Sequence, residues 1–139
     1  MFFRKILRHI SVFKMRFFNP QKHNAKKCIG DLSFSVNMYD RLLRMKVMRN
    51  GQELGYLNFT RNDGESIYLA DIFIFDGYRN LGVGTRLLHA GIEQVKMLNI
   101  ERIYGVMVGD VDRLRSFYQS FGFELSGKNI ELVIKKSKL

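Results

Sequence analysis
The sequence predicts an α+β domain whose centre is a mixed, mostly antiparallel sheet flanked by helices. Three observations lead to it. Between residues 32 and 47 apolar and polar side chains alternate, and the turn signals Asn50-Gly51 and Asn62-Asp63-Gly64 that follow flank Glu53 to Arg61, the pattern of an antiparallel meander. Residues 81–98 instead repeat apolar side chains at helical spacing. The period then changes again, from strand to helix to a closing hairpin.

At 139 residues there is room for one domain and not for a second full one. A chain of this size buries roughly two-thirds of its unfolded surface. Phe3, Ile6, Leu7, Ile10, Phe13 and Phe17 recur at helical spacing until Pro20 stops the pattern, and the first 27 residues hold eight Lys or Arg and no acid. Residues 1–27 are therefore expected to form a basic amphipathic N-terminal segment, helical in character, and residues 28–139 the folded domain. Leu32, Phe34 and Val36 alternate against Ser33 and Ser35, and Leu43, Met45 and Val47 against Arg44 and Lys46, giving two strands. Glu53 to Arg61 forms a third. Ser66 to Phe75, rich in Ile, Tyr and Phe, forms a central, largely buried fourth that ends at Asp76-Gly77. Val83, Leu87, Leu88, Ile92, Val95 and Leu98 then share one face of a long helix. Ile103 to Val108 is a strand. Asp110 or Asp112 caps a second helix, which carries Leu114, Phe117, Tyr118 and Phe121 and is closed by Gly122. A hairpin around Ser126 to Asn129 leads into a last strand, Ile130 to Lys135.

Composition excludes several classes of function. No apolar run approaches the roughly 20 residues that span a bilayer, which argues against an integral membrane protein. Arg4, Lys5, Arg8 and Lys14 interrupt any secretory-type apolar segment, so a cytoplasmic location is expected. Cys28 is the only cysteine, which rules out an intrachain disulfide and a thiolate-rich metal site and leaves an unreactive thiol as its plain reading. His9, His23 and His89 do not fall at metal-ligand spacing with carboxylates, and no metal is expected; His89 is expected at the surface or at a subunit contact. The formal charge is +10, and its distribution is uneven: residues 1–50 hold 12 basic and 2 acidic side chains, residues 51–139 eleven of each. The positive charge thus belongs to the N-terminal third. It suits an acidic partner for residues 1–27, nucleic acid or an anionic membrane surface, or a targeting segment similar to a transit peptide, against the structural alternative that this segment packs on the domain or on a second copy of the chain as a homodimer.

The chemistry lies where the buried strand meets the long helix, at Arg79, Asn80, Leu81, Gly82, Val83, Gly84 and Thr85. Glycines at 82 and 84 remove side chains where a turn becomes a helix, so several backbone N–H groups can approach one ligand. The helix dipole adds about half a positive charge there, which suits a pyrophosphate. Tight strand-to-helix packing is the alternative reading of the same glycines. The motif is neither a dinucleotide fingerprint nor a P-loop, because the third glycine, the following acid and a Gly-Lys-Ser/Thr are all missing.

The stretch Asp71 to Leu88 resembles the acyl-CoA-binding motif of the GNAT N-acetyltransferase superfamily, with its Arg/Gln-x-x-Gly-x-Gly/Ala core. Arg115 to Phe123 resembles that superfamily's downstream signature, an aromatic-Tyr pair four residues before Gly-Phe. The resemblance implies a GNAT-like sheet splayed into a cleft, with acetyl-CoA as acyl donor on one side and a primary amine as acceptor on the other. It implies that the strand end Ile72, Phe73 and Ile74 offers backbone groups to the pantetheine arm, and that Asn80 to Thr85 cradle the pyrophosphate. Arg79 and Arg86 would add charge near the phosphates or remain solvated. It implies an enzyme that works by direct attack in a ternary complex, with Tyr118 protonating the leaving thiolate; a core aromatic is the alternative for Tyr118.

Two positions depart from the pattern the resemblance implies. Ala70 stands where several relatives, polyamine acetyltransferases among them, carry the first residue of a Glu-Asp pair, and Val111 where many carry an asparagine. Asp71 is then the nearest carboxylate for the general base, acting directly or through water, or else a counter-ion for the amine. A weak base favours an acceptor of low pKa. At pH 7 a lysine is neutral about once in several thousand molecules and an α-amine roughly one time in seven. A peptide or protein N-terminus, or a small amine of lowered pKa, is therefore expected ahead of lysine. The same departures define the rival reading, a catalytically weak acyl-CoA-binding regulatory or interaction module recruited to nucleic acid by its basic N-terminus.

Overall fold
The computed structural model describes residues 9–15 and 31–134. Among these, the chain runs through β1 (His9–Met15), β2 (Leu32–Tyr39), β3 (Leu42–Arg49), β4 (Gln52–Arg61), β5 (Ser66–Ile74), α1 (Val83–Met97), β6 (Arg102–Val106), α2 (Val111–Gln119), β7 (Glu124–Ser126) and β8 (Asn129–Val133). The strands form one sheet in the order β1-β2-β3-β4-β5-β6-β8-β7. All neighbours are antiparallel except β5 and β6, which are parallel.

The alternation in the sequence becomes the burial pattern. Leu32, Phe34 and Val36 of β2 and Leu43, Met45 and Val47 of β3 are buried, while the residues between them stay partly exposed. Asn50 and Gly51 take positive φ, 52° and 80°, as a two-residue hairpin connection requires. The core continues through Leu57 and Phe59 of β4 and Ile67 and Leu69 of β5 onto Leu87, Leu88, Ile92 and Val95 of α1, which packs on β3, β4 and β5. Gly91 permits that approach, since a Cβ there would stand 3.2 Å from Leu57 Cδ1 and 3.3 Å from the Phe59 ring.

Two features of β5 create the site. Phe59 opposes Leu69 and Asn58 opposes Asp71, so β5 carries one extra residue, Ala70, as a β-bulge. The bulge shifts the alternation: Ile67 and Leu69 are buried before it, Ile72 and Ile74 pack on the core after it, and Asp71 and Phe73 are left exposed. Next, β5 and β6 pair only over Ser66–Leu69 and Arg102–Gly105. Beyond Leu69 the two parallel strands part. A gap opens outside their carboxyl ends, a usual place for a ligand in sheets with parallel strands.

The helical expectation for the N-terminal segment is corrected where the structure describes it. His9–Met15 is a strand paired antiparallel with β2 along its whole length, Ile10 opposite Asn37 and Met15 opposite Leu32. Apolar residues at 10, 12, 13 and 15 fit either period over so short a window. The β-branched Ile10 and Val12 favour strand, and the free edge of β2 supplies hydrogen-bond partners that local spacing does not reveal. Phe3, Ile6, Leu7, Phe17 and Pro20 lie outside the described residues, as do His23, Cys28 and Lys135.

Candidate active site
The gap between β5 and β6 is a cleft of about 500 Å³. One wall is the end of β5, Ile72, Phe73 and Ile74, continued by Arg79, Asn80, Gly82, Gly84 and Thr85 at the start of α1. The other wall is Val108, Asp110, Arg113, Leu114 and Phe117, from the loop after β6 and the first turns of α2. Of the expected cradle, Leu81 and Val83 alone do not line the cleft: Leu81 packs on the core and Val83 is buried. Their side chains therefore take no part in the cleft wall.

Both helices begin at this cleft, and their N-termini differ. That of α2 already has an acceptor: the Asp110 side chain takes a hydrogen bond from the Arg113 backbone N–H at 3.3 Å, and Asp112 adds negative charge to the first turn. That of α1 has Gly82 at the cap, hence no side-chain acceptor, and no acid in its first turn. Its first N–H groups have no carbonyl partner within the helix, and the dipole makes the spot positive. Asn80 and Gly82 hold left-handed backbone, φ 62° and 84°, which turns the chain into the helix.

The left-handed backbone at Gly82 favours glycine there. No atom lies within 4 Å of a Cβ built on Gly82, and one built on Gly84 would make ordinary contact with Ile74 at 3.6 Å. Crowding is not what requires either glycine. The space they leave belongs to the cleft, and an uncapped helix N-terminus facing open space fits a diphosphate linker.

Basic side chains sit around it. Arg79 Nε donates to the Ile74 carbonyl at 3.0 Å, Nη2 lies 3.5 Å from Asp76 Oδ1, and the guanidinium stands 5.2 Å over the Phe73 ring. Arg113 Nη2 donates to Asn80 Oδ1 at 3.2 Å, linking the two walls. Sequence reasoning missed Arg113 and Val108, because only the tertiary fold brings residue 113 to residue 80. The available signal was that α2 starts just past a strand parallel to β5.

Neither Tyr118 nor Asp71 is among the residues that line the cleft; each is the sequence neighbour of one that does, Phe117 and Ile72. Tyr118 is one helical turn beyond Leu114 on the same stripe of α2, is 6% exposed, and meets the edges of Phe117 and Phe123 at ring-centroid distances of 5.1 and 5.3 Å. Its pKa is pushed up to about 12, chiefly because burial disfavours the phenolate and then because the Asp71 carboxylate is near. The structure thus brings these two residues within electrostatic reach of each other. Asp71 is exposed at the bulge. His89 is exposed on α1. Among the described residues no three His, Cys, Asp or Glu side chains are grouped to hold a metal ion, and no helix is long and apolar enough to cross a membrane.

A parallel pair of strands splayed beside a glycine-opened helix start that has no side-chain cap gives the cleft a place suited to an anionic ligand. Residues 16–123 match the model of the Acetyltransferase (GNAT) family, and the chain belongs to that family. Its acyl donor is acetyl-CoA. Comparison with curated protein sequences gives no significant match. Solved structures share the fold at low identity. The ribosomal-protein-S18-alanine N-acetyltransferase of Escherichia coli is 13% identical, with 94% of this chain and 97% of that one covered and a TM-score of 0.67. Ard1 of Thermoplasma volcanium is 16% identical over 67% of this chain and 71% of its own, with a TM-score of 0.61. The PaiA N-acetyltransferase of Thermoplasma acidophilum, solved with coenzyme A, is 16% identical over 68% and 61%, with a TM-score of 0.58.

Proposed function
We propose that this chain acetylates a primary amine of low pKa, a peptide or protein N-terminus ahead of a lysine, by direct attack in a ternary complex. The observation that carries the reading is the α1 N-terminus, left without a side-chain acceptor at the mouth of the β5–β6 gap, together with Asp71 and Tyr118, which lie within electrostatic reach of each other. Acetyl-CoA supplies an acetyl group already activated as a thioester. The backbone N–H groups of Asn80 to Thr85 hold its diphosphate, with Arg79 and Arg113 nearby, and the end of β5 orients the pantetheine arm. Phe73 and Val108, 40% and 83% exposed on opposite walls, exclude water from the arm once it lies between them.

Asp71 receives the amine. As the new N–C bond forms and the C–S bond breaks, the nitrogen gives up its proton to Asp71 or to a water that Asp71 orients, and the thiolate takes one from the Tyr118 hydroxyl. With a pKa near 12 the phenol is fully protonated at neutral pH, so it is a donor and never a base. The thiolate of a thiol near pKa 8.5 is a weaker base than this phenolate, so with Tyr118 at about 12 the transfer is uphill. Two effects narrow the gap. The cationic nitrogen offsets the Asp71 charge that raises Tyr118, and the thiolate becomes more basic in a cleft with little water. Asp71 acting without a neighbouring glutamate is a modest base, which favours an α-amine near pKa 7.8 over a lysine near 10.4. The E. coli neighbour is named for an alanine of a ribosomal protein, a residue whose sole amine is the α-amine.

The basic residues 1–27 would bring the enzyme to an acidic partner in the cytoplasm, raising encounter rates without choosing the amine. The test of the whole reading is titration calorimetry with acetyl-CoA, then acetylation of matched α-amine and lysine peptides followed by mass. Tyr118→Phe should retain cofactor affinity and lose about a hundredfold in kcat. Absence of binding at millimolar acetyl-CoA, or faster lysine acetylation, overturns it.

A further inference from the structure
The face of β3, β4 and β5 turned away from α1 runs directly into the cleft. Asp71, Asn58 and Arg44 stand in one row across it, each opposite the next in register, and Phe73, Tyr56 and Lys46 form the row beside them. Phe73 belongs to both the face and the cleft. The Phe73 and Tyr56 rings pack with centroids 5.9 Å apart, the Arg44 guanidinium lies 4.2 Å over Tyr56, and its Nη1 donates to Asn58 Oδ1 at 3.2 Å. Arg44 is thus held flat and half-buried.

Its charge is unmatched. Lys46 is 4.0 Å from Glu53, whereas no carboxylate among the described residues pairs with Arg44, and the remaining residues contain no Asp or Glu at all. Asp71 likewise has no ion-pair partner among the described residues. A lone carboxylate and a lone guanidinium therefore share one row of an open face, separated by an asparagine that orients the guanidinium. Arg is the residue suited to bidentate recognition of a carboxylate.

Resting on the α-amine reading above, we propose that Arg44 binds an acidic side chain of the acceptor, so that the substrate class is a peptide N-terminus with Asp or Glu at its second or third residue. The spacing supports this register. Backbones two strands apart are about 10 Å from each other, and an extended peptide advances about 3.3 Å per residue. With the amine at Asp71, the second or third side chain reaches Arg44. The carboxylate of a free amino acid, two bonds from its nitrogen, does not.

The experiment uses the full chain with saturating acetyl-CoA and three pentapeptides, identical except for aspartate, asparagine or lysine after an N-terminal alanine. Acetylation is followed by mass, and binding by anisotropy of C-terminal fluorescein. The aspartate peptide should exceed the asparagine peptide by about tenfold in kcat/KM, mostly through KM, as one charge-assisted contact supplies. Added salt should narrow the gap. Arg44→Gln should abolish the preference while preserving turnover of the asparagine peptide, and Arg44→Glu should turn it toward the lysine peptide; Lys96→Ala, on the far end of α1, should leave it intact. Equal use of the aspartate and asparagine peptides by the unmodified protein, or equal loss on all three in both Arg44 variants, overturns the role of Arg44 and leaves the α-amine reading standing. Failure of every α-amine peptide alongside acetylation of lysine removes that reading and this inference with it.

Discussion

Tyr118 is the residue at which burial, charge and chemistry meet. A phenol of pKa about 12 in the folded chain and about 10 unfolded stays neutral in both states below pH 10, so its contribution is fully present there. Between pH 10 and 12 the unfolded chain gives up the proton and the folded chain does not, and stability falls as pH rises. The loss is on the order of 2–3 kcal/mol. Tyr118→Phe should flatten urea-measured stability across that window relative to the unmodified protein. It should also leave neutral-pH stability the same or about 1 kcal/mol higher, since no hydrogen bond of the hydroxyl is seen among the described residues. Asp71→Asn removes the second cause of the shift, and ultraviolet difference titration of the tyrosines should then register an earlier ionisation. Gly84→Ala offers a separate check on the cradle. A Cβ at that position is tolerated by Ile74 and helps a first helical turn, so folding should be unharmed or improved by up to about 1 kcal/mol. Acetyl-CoA affinity, measured by calorimetry, should nonetheless drop about tenfold, because the methyl group occupies ligand space.

At the scale of elements, the cleft depends on how β4 meets the end of β5. Gly55 opposes Ile74, and a Cβ there would fall 2.5 Å from the Phe73 carbonyl oxygen and 2.8 Å from Ile74 Cδ1. The oxygen belongs to backbone and cannot rotate away, so β5 itself must shift. Gly55→Ala should cost about 2 kcal/mol or more in chemical denaturation, and should weaken acetyl-CoA binding because Phe73 and Ile74 form one wall of the cleft. The Ala70 bulge plays a related part. By inserting one residue it leaves Asp71 and Phe73 on the open face while Ile72 and Ile74 stay with the core, so strand and site follow different phases of the same alternation.

For the whole molecule, ligand binding and folding are linked. If the α1 N-terminus and the splayed strands hold acetyl-CoA, a concentration one hundred times the Kd should stabilise the fold by about 2.7 kcal/mol and raise its melting temperature by roughly 10 °C. The Gly84→Ala protein at the same acetyl-CoA concentration should show a smaller rise. The charge distribution predicts a second global behaviour. Binding to an acidic surface or nucleic acid through residues 1–27 should weaken steeply with salt and vanish when those residues are removed, whereas acetyl-CoA affinity should depend on salt far less.

Local rules were enough for much of this. Alternation with period two located β2 and β3, Asn50-Gly51 announced its own hairpin, the apolar stripe of α1 was complete in the linear chain, and Gly82 and Gly84 marked the helix start that opens on the cleft. Such features are set by neighbours in sequence, through φ preferences and side-chain period. What the linear chain did not disclose depends on distant partners. His9–Met15 became a strand because β2 offered an edge. The Ala70 bulge arose from pairing between β4 and β5. Arg113 met Asn80 across a cleft that exists because two parallel strands separate past Leu69. Asp71 and Tyr118 lie 47 positions apart in the sequence. Their coupling is an electrostatic effect of distance through space, which a list of residues does not contain and a folded sheet does.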